Sequence, residues 1–185
     1  MSTRGNDRRS RAAVARRHGL RALTAGAALT GTLLVIAGPA HAATNVGVTA
    51  VGALAINAGN LDDDITVSVD VDGSLLVTNP VDVVMPVAPC VAVTANQVDC
   101  PSAGVVGISA STGNGDDVLR NQTALRSRAD MGAGDDRFKG GPARDTVFGN
   151  DGDDTLVGDG GNNDVADGGP NTDTCDAENE VNCEL

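Results

Sequence analysis

Apolar and polar residues follow two different patterns along this chain. Over residues 43–110, short runs rich in Val, Ile and Thr are separated by turns that contain Gly, Asn, Asp or Pro, which is typical of β-strands. In the run 65–71, apolar and polar residues alternate, as they do in a strand with one buried face. The pattern predicts strands at 45–56, 65–71, 74–78, 81–93 and 105–109.

From residue 112 to residue 176, the pattern becomes a repeat of nine residues, in which turn residues precede a short apolar stretch. The six copies lie at 112–120, 131–139, 140–148, 149–157, 159–167 and 168–176. All six carry Asp at the sixth place: Asp117, Asp136, Asp145, Asp154, Asp164 and Asp173. Four carry a large apolar residue at the eighth place: Leu119, Phe138, Val147 and Leu156. A fixed short period indicates a solenoid, in which successive copies stack on one another.

These copies resemble the G-G-x-G-x-D-x-U-x nonapeptide of repeats-in-toxin, or haemolysin-type, calcium-binding proteins. The resemblance implies an all-β fold, a right-handed parallel β-roll or solenoid, with calcium ions held between its turns. It implies metal ligands at the six sixth-place aspartates and at the fourth-place glycines Gly115, Gly134 and Gly152. The other three copies have Ala143, Asn162 and Asn171 at the fourth place. Residues 121–130 have the length of a repeat but lack the motif, with Leu125 as the expected inward residue. We expect weaker calcium binding, or none, at these departures.

The residue types suit calcium for chemical reasons as well. Ca²⁺ takes six to eight oxygen ligands at flexible distances, and Gly permits the turns that direct backbone carbonyls towards a common point.

If two copies complete one coil, the sixth-place aspartates fall on two edges of the stack. One edge carries Asp117, Asp136, Asp154 and Asp173, and the other carries Asp145 and Asp164. Carboxylates stacked about 4.8 Å apart repel one another by about 1 kcal/mol per pair in water. A divalent cation is therefore expected to act as a folding ligand. The alternative is a solvated acidic linker, but a linker has no reason to repeat Asp at a fixed place.

Residues 43–110 are predicted to form a β-rich N-terminal cap and lead-in strands for the repeats at 111–176. A small separate β-domain is the alternative, although the run 105–108 leads directly into the first repeat. The lead-in at 96–101 also resembles secreted, actinobacterial-type calcium-repeat proteins. Residues 62–64, three consecutive aspartates, are interpreted as a polar turn without a metal role.

Residues 1–42 have the features of a cleaved secretory signal. Seven arginines precede an apolar span at 22–37, and Ala40-His41-Ala42 is a small-x-small cleavage site. A membrane anchor is the alternative, but that span of 16 residues is shorter than the roughly 20 that a transmembrane helix needs. The paired arginines at 16–17 match a twin-arginine signal poorly, so we expect the general secretory route and an extracellular or cell-surface location.

Charge and composition limit the function of residues 43–185. This part keeps 6 of the 13 Lys and Arg residues but 24 of the 25 Asp and Glu residues, a formal charge of −18. Nucleic acid is therefore excluded as a partner, since phosphate binding needs clustered basic residues. Both histidines lie within residues 1–42, so neither a Ser-His-Asp triad nor a histidine zinc site is available.

We expect a calcium-binding protein without enzymatic activity, with calcium ions as ligand, no membrane span after cleavage, and a cell-surface or matrix partner that the sequence does not identify. An acidic structural or adhesion protein without a calcium role is one alternative. An accessory module of a repeat-bearing secreted hydrolase is another.

Four cysteines, Cys90, Cys100, Cys175 and Cys183, remain after residue 42. An even number in an exported protein suggests two disulfides, for which three pairings exist. We favour the local pairs Cys90–Cys100 and Cys175–Cys183, which would fasten the two ends of the repeat region, the second through a tail at 177–185.

Overall fold

The computed structural model describes residues 43–184, which form an all-β structure of sixteen strands in two sheets. The strands are β1 (Thr44–Val48), β2 (Ala53–Asn57), β3 (Asp64–Val69), β4 (Leu75–Thr78), β5 (Val84–Pro86), β6 (Val91–Thr94), β7 (Gln97–Cys100), β8 (Gly107–Asn114), β9 (Val118–Asn121), β10 (Ser127–Ala133), β11 (Arg137–Lys139), β12 (Asp145–Asp151), β13 (Thr155–Val157), β14 (Val165–Asp167), β15 (Thr174–Asp176) and β16 (Asn179–Val181).

The chain passes alternately between the two sheets from β8 onwards. Sheet 1 has the order β16-β14-β12-β10-β8-β2-β1-β5, and sheet 2 has the order β15-β13-β11-β9-β3-β4-β7-β6. From β8 to β16, neighbouring strands within each sheet are parallel. One strand in each sheet, with the turns between them, makes one coil. Equivalent residues of successive coils are 18 or 19 positions apart, so two nine-residue copies complete one coil.

The eighth-place side chains fill the space between the sheets. Leu119, Phe138 and Leu156 are register partners on sheet 2 and are at most 2% exposed. The corresponding buried ladder on sheet 1 consists of smaller residues: Ala110, Ala129, Val147 and Ala166. All belong to one core cluster. The core is thin, and each large apolar side chain in it contributes about 1.5–3 kcal/mol to folding.

The strands before residue 107 belong to the same two sheets as the repeats. β2 pairs in parallel with β8, and β3 pairs in parallel with β9. The remaining N-terminal strands extend the sheets, mostly through antiparallel pairs. A separate β-domain is therefore not observed among residues 43–184.

The structure corrects local details of the strand prediction. The strand predicted at 45–56 is an antiparallel hairpin of β1 and β2, because a turn closes at Gly52, whose N–H donates to the carbonyl of Thr49. The strand predicted at 81–93 is divided between β5 and β6, which lie in different sheets. Leu125 is only half-buried, and Ala129 takes the inward position of its coil.

Two disulfides join Cys90 to Cys100 and Cys175 to Cys183, the pairs that the sequence favoured. The second joins β15 to the tail, and part of that tail is β16, the edge strand of sheet 1. The signal peptide and cleavage site predicted at 1–42 lie outside the described residues. Within residues 43–184, no helix is long and apolar enough to cross a membrane.

Candidate metal site

Five aspartates are stacked along one edge of the repeat region, one from each coil. This first aspartate column consists of Asp63, Asp117, Asp136, Asp154 and Asp173. Each carboxylate from Asp117 onwards accepts, through Oδ1, the backbone N–H of the aspartate in the preceding coil, at 2.7–2.9 Å. The column thus links the turns of successive coils, and all five residues are at most 2% exposed.

The second carboxylate oxygen has no partner in four of these five aspartates. Within the described part of the chain, six buried side-chain N or O atoms lack a hydrogen bond, and four of them are the Oδ2 atoms of Asp117, Asp136, Asp154 and Asp173. Leaving a buried polar group unsatisfied costs about 1–3 kcal/mol, and more if the group is charged. The metal-free column is therefore opposed by its own desolvation.

Burial has a direct effect on the acidity of the column. It raises the pKa of Asp136 to about 7 and the pKa values of Asp117 and Asp154 to about 6, and neighbouring carboxylates add to each rise. Burial also raises the pKa of Asp63 and of Asp173. Backbone N–H donors oppose these shifts without cancelling them.

The column has a consequence for stability against pH. Without metal, the folded chain retains protons on Asp117, Asp136 and Asp154 at pH values where the unfolded chain, with an Asp pKa of about 3.9, has released them. Because the folded chain binds these protons more tightly than the unfolded chain, they stabilise the folded state. This stabilisation is complete below about pH 4 and is lost as the pH rises through about 6 to 7. We expect the calcium-free protein to unfold at a lower temperature at about pH 8 than at about pH 5, by circular dichroism. A thermal unfolding midpoint that is higher at about pH 8 than at about pH 5 would contradict this expectation.

A second set of acidic side chains lies beside the first, on the solvent side. The fifth-place residues Asp62, Asp116, Asp135 and Asp153 are exposed. Each of these carboxylates accepts a backbone N–H of a neighbouring coil at 2.9–3.0 Å. Two parallel rows of carboxylates therefore follow this edge, one buried and one exposed.

The interpretation of residues 62–64 as a polar turn without a site role does not fit their position. Asp63 heads the first column, and Asp62 heads the exposed row. Ile65 pairs with Leu119 in the eighth-place ladder. Residues 58–66, Ala-Gly-Asn-Leu-Asp-Asp-Asp-Ile-Thr, are therefore a further repeat in which Leu61 replaces the fourth-place glycine. The signal available in the sequence was Asp63 followed two places later by an apolar residue, which is the repeat's own pattern.

The opposite edge has a shorter and less regular column: Ser127, Asp145, Asp164 and Glu178. The N–H of Ser127 donates to Asp145 Oδ1, and the N–H of Asp145 donates to Asp164 Oδ1, both at 2.8 Å. Asp145 Oδ2 also accepts the N–H of Gly141 at 2.8 Å, so this carboxylate is fully engaged. Burial raises the pKa of Asp145 as well.

Two glutamates that the sequence analysis did not single out end the columns. Glu184 accepts the N–H of Asp173 at 2.8 Å, and Glu178 accepts the N–H of Asp164 at 2.9 Å. Both lie in the segment after β15, which the disulfide Cys175–Cys183 spans in part. Because this segment does not continue the repeat, the longer glutamate side chain takes the place of the next aspartate.

The fourth-place glycines lie where the backbones of successive turns approach closely. Gly134 has φ +134°, and a Cβ there would overlap the carbonyl oxygen of Gly115. Gly152 repeats this contact one coil later, against the carbonyl of Gly134. The turns thus stack with backbone against backbone beside the first column.

The donor set fits a hard cation in composition. It combines buried carboxylate oxygens that lack partners with closely stacked backbone carbonyls, and Ca²⁺ prefers oxygen ligands of these kinds. Side chains alone do not complete a site, however. Among residues 43–184, no three His, Cys, Asp or Glu side chains are grouped so as to hold a metal ion. A calcium site here would need further oxygen ligands, which backbone carbonyls, amide side chains or water can supply.

Fold and side-chain arrangement together define an all-β repeat protein with stacked acidic turns. Residues 132–165 match the family model of the RTX calcium-binding nonapeptide repeat (4 copies), which confirms the resemblance of the repeat sequence. The match covers under a fifth of the chain. No curated protein and no solved structure matches this chain.

Proposed function

We propose that this chain is an exported calcium-binding protein whose repeats form a right-handed parallel β-roll stabilised by calcium between its coils. The observation that carries the proposal is the row of buried, unpartnered Oδ2 atoms in the first aspartate column. The matched RTX repeat supports it independently, because its description is calcium binding.

The roles of the residues follow from their positions. The free Oδ2 atoms of Asp117, Asp136, Asp154 and Asp173 supply carboxylate oxygens. The turns at Gly115, Gly134 and Gly152 supply backbone carbonyls and the space that a side chain would fill. Asp145 and Asp164 on the opposite edge bind more weakly, because Asp145 is already engaged by Ser127 and Gly141.

Calcium supplies positive charge that offsets the repulsion and desolvation of the column. Extracellular calcium modules have dissociation constants of about 0.1–1 mM. At a constant of about 0.1 mM, 1 mM calcium stabilises each site by about 1.4 kcal/mol. Several such sites on one thin core make folding depend on calcium outside the cell.

The rest of the chain has supporting roles in this proposal. Residues 1–42 direct export, 43–110 form the cap and lead-in, 111–176 form the calcium-binding roll, and 177–185 form the fastened tail. The protein then works as an extracellular structural or surface-interaction module. The lack of enzymatic activity stays a prediction from the sequence.

One observation favours a second candidate, an acidic structural protein without a calcium role. Every Oδ1 of the first column from Asp117 to Asp173 already accepts a backbone hydrogen bond, so the coils are joined without metal.

A calcium titration followed by circular dichroism separates the two candidates. We expect β-structure and the thermal midpoint of the purified protein to increase with calcium, with half of the effect at about 0.1–1 mM. A chelator should reverse the change. Magnesium should act weakly, because it demands near-octahedral geometry and keeps its waters. Identical spectra and midpoints with calcium and with chelator would favour the metal-free structural protein.

A further inference from the structure

Half of the basic residues after residue 42 line one cavity on the outer face of sheet 1. The cavity has a volume of about 560 Å³, and Arg126, Arg128 and Arg144 line it. Residues 43–185 contain only three other basic residues, against 24 acidic ones. A concentration of positive charge in so acidic a chain is not explained by solubility, for which the acidic residues suffice. We call this cavity the arginine pocket.

The strand register brings the three arginines together. Arg126 and Arg144 precede the paired residues Ser127 and Asp145 on neighbouring strands, so they lie about one strand spacing, 4.8 Å, apart. Arg128 lies two residues further along β10 and points to the same face of the sheet. Like charges on adjacent strands are destabilising. The free pocket is therefore electrostatically unfavourable and would gain from an anion.

No carboxylate in the described chain neutralises these side chains. The ion pairs among residues 43–184 are Arg120 with Asp64 and Lys139 with Asp159, both away from the arginine pocket. The three arginines are exposed, and no acidic residue lines the cavity.

Two contacts position two of the three arginine side chains, those of Arg128 and Arg126. Arg128 stacks over the ring of Phe148, with Cζ 4.5 Å from the centroid, which is a cation–π contact. The stem of Arg126 crosses Gly107, where an added Cβ would lie 3.1 Å from Arg126 Cγ. The pocket is thus partly organised before any ligand binds, which lowers the entropy cost of binding.

We propose that the arginine pocket binds a phosphate monoester of a small polyol or sugar. Guanidinium groups match the oxygens of phosphate in paired hydrogen bonds, and a dianion with three acceptor oxygens suits three arginines better than a single carboxylate does. The hydroxyls of Ser109 and Thr146 add donors at the floor, and the exposed side chains of Val51 and Val106 form an apolar wall. The volume falls within the range of about 300–1,000 Å³ for small-molecule sites, which leaves room for the organic body as well as the phosphate.

Isothermal titration with glucose 6-phosphate, in calcium-containing buffer, tests the proposal. We expect saturable 1:1 binding with a dissociation constant of about 1 mM, because the chain's net negative charge weakens attraction for anions. Sulfate should bind at least about fivefold more weakly, and glucose should not bind, since each offers only part of the ligand. Sulfate binding as tight as glucose 6-phosphate binding would overturn the assignment of a phosphate ester and leave a simple oxyanion site. Glucose binding as tight as glucose 6-phosphate binding would overturn the role of the arginines in binding the phosphate group.

Matched double substitutions make the test specific. Arg126→Gln with Arg144→Gln should weaken glucose 6-phosphate binding about tenfold or more. Arg137→Gln with Lys139→Gln removes the same charge from sheet 2, outside the pocket, and should change the constant by less than about twofold. Equal weakening by both pairs, or no saturable binding to the unsubstituted protein, would overturn the proposal. The calcium response of each variant is recorded by circular dichroism, so that failure of the calcium proposal and failure of the arginine pocket are seen separately.

Discussion

Replacing Asp136 and Asp154 together by Asn should have opposite effects on stability with and without calcium. In each residue the Asn Oδ1 can still accept the backbone N–H that the Asp Oδ1 accepts now. The Asn amide is uncharged, and its Nδ2 takes the place of the unpartnered Oδ2, so the negative charge at that position is removed. In metal-free buffer at about pH 8, we expect the variant to be more stable than the parent by about 1–3 kcal/mol, because three neighbouring carboxylate repulsions are lost.

With calcium, the same variant should lose most of its metal-dependent gain. Sites that depend on these two carboxylates bind weakly, so the calcium midpoint should rise about tenfold or more. The matched control is Asp70→Asn with Asp72→Asn, since both residues are exposed and lie in the turn between β3 and β4. Asp62 and Asp63 would not serve as a control, because they head the two acidic rows. Thermal unfolding at increasing calcium concentrations measures the stability and the calcium midpoint of the parent, the double variant and the control. A double Asn variant that is less stable than the parent in both buffers would contradict the role of charge repulsion in the column.

Gly134→Ala should destabilise the repeat region strongly. The residue has φ +134°, which L side chains rarely adopt, and its added Cβ would overlap the carbonyl oxygen of Gly115. Backbone strain alone costs about 1–3 kcal/mol, and the clash must also separate two stacked turns. We expect a loss of about 3 kcal/mol or more in the free energy of unfolding, measured with denaturant in saturating calcium.

Gly160→Ala provides the comparison for this substitution. Gly160 does not have a positive φ, and nothing lies within 4 Å of an added Cβ. Its replacement should change stability by less than about 0.5 kcal/mol. Similar losses at the two positions would show that glycine content, and not close stacking of the turns, decides stability.

The repeat period predicted much of this architecture. Asp at every sixth place predicted which aspartates share an edge, and the apolar eighth place predicted the buried ladder of Leu119, Phe138 and Leu156. These features are local, because one nine-residue copy contains both the turn and its strand. The disulfide pairs were also predictable, since each closes a short loop.

Features that depend on distant pairing were not predictable. Asp63 hydrogen-bonds to Asp117 across 54 residues, and the residues between 66 and 112 do not carry the repeat motif. Leu61 in place of a glycine hid this repeat further. Glu178 and Glu184 were missed because they act only where the stack ends. The arginine pocket was missed for a similar reason, since its members meet only through the register of β10 and β12.

The central proposal is that calcium bridges successive coils through the unpartnered Oδ2 atoms of the first aspartate column. A crystal structure of the protein grown with calcium, with anomalous scattering to identify the ion, tests this proposal most directly. We expect calcium between neighbouring coils, in contact with Oδ2 of Asp117, Asp136 and Asp154 and with backbone carbonyls of the adjoining turns. Turns that keep the metal-free hydrogen bonds, with no anomalous signal along this edge, would contradict it.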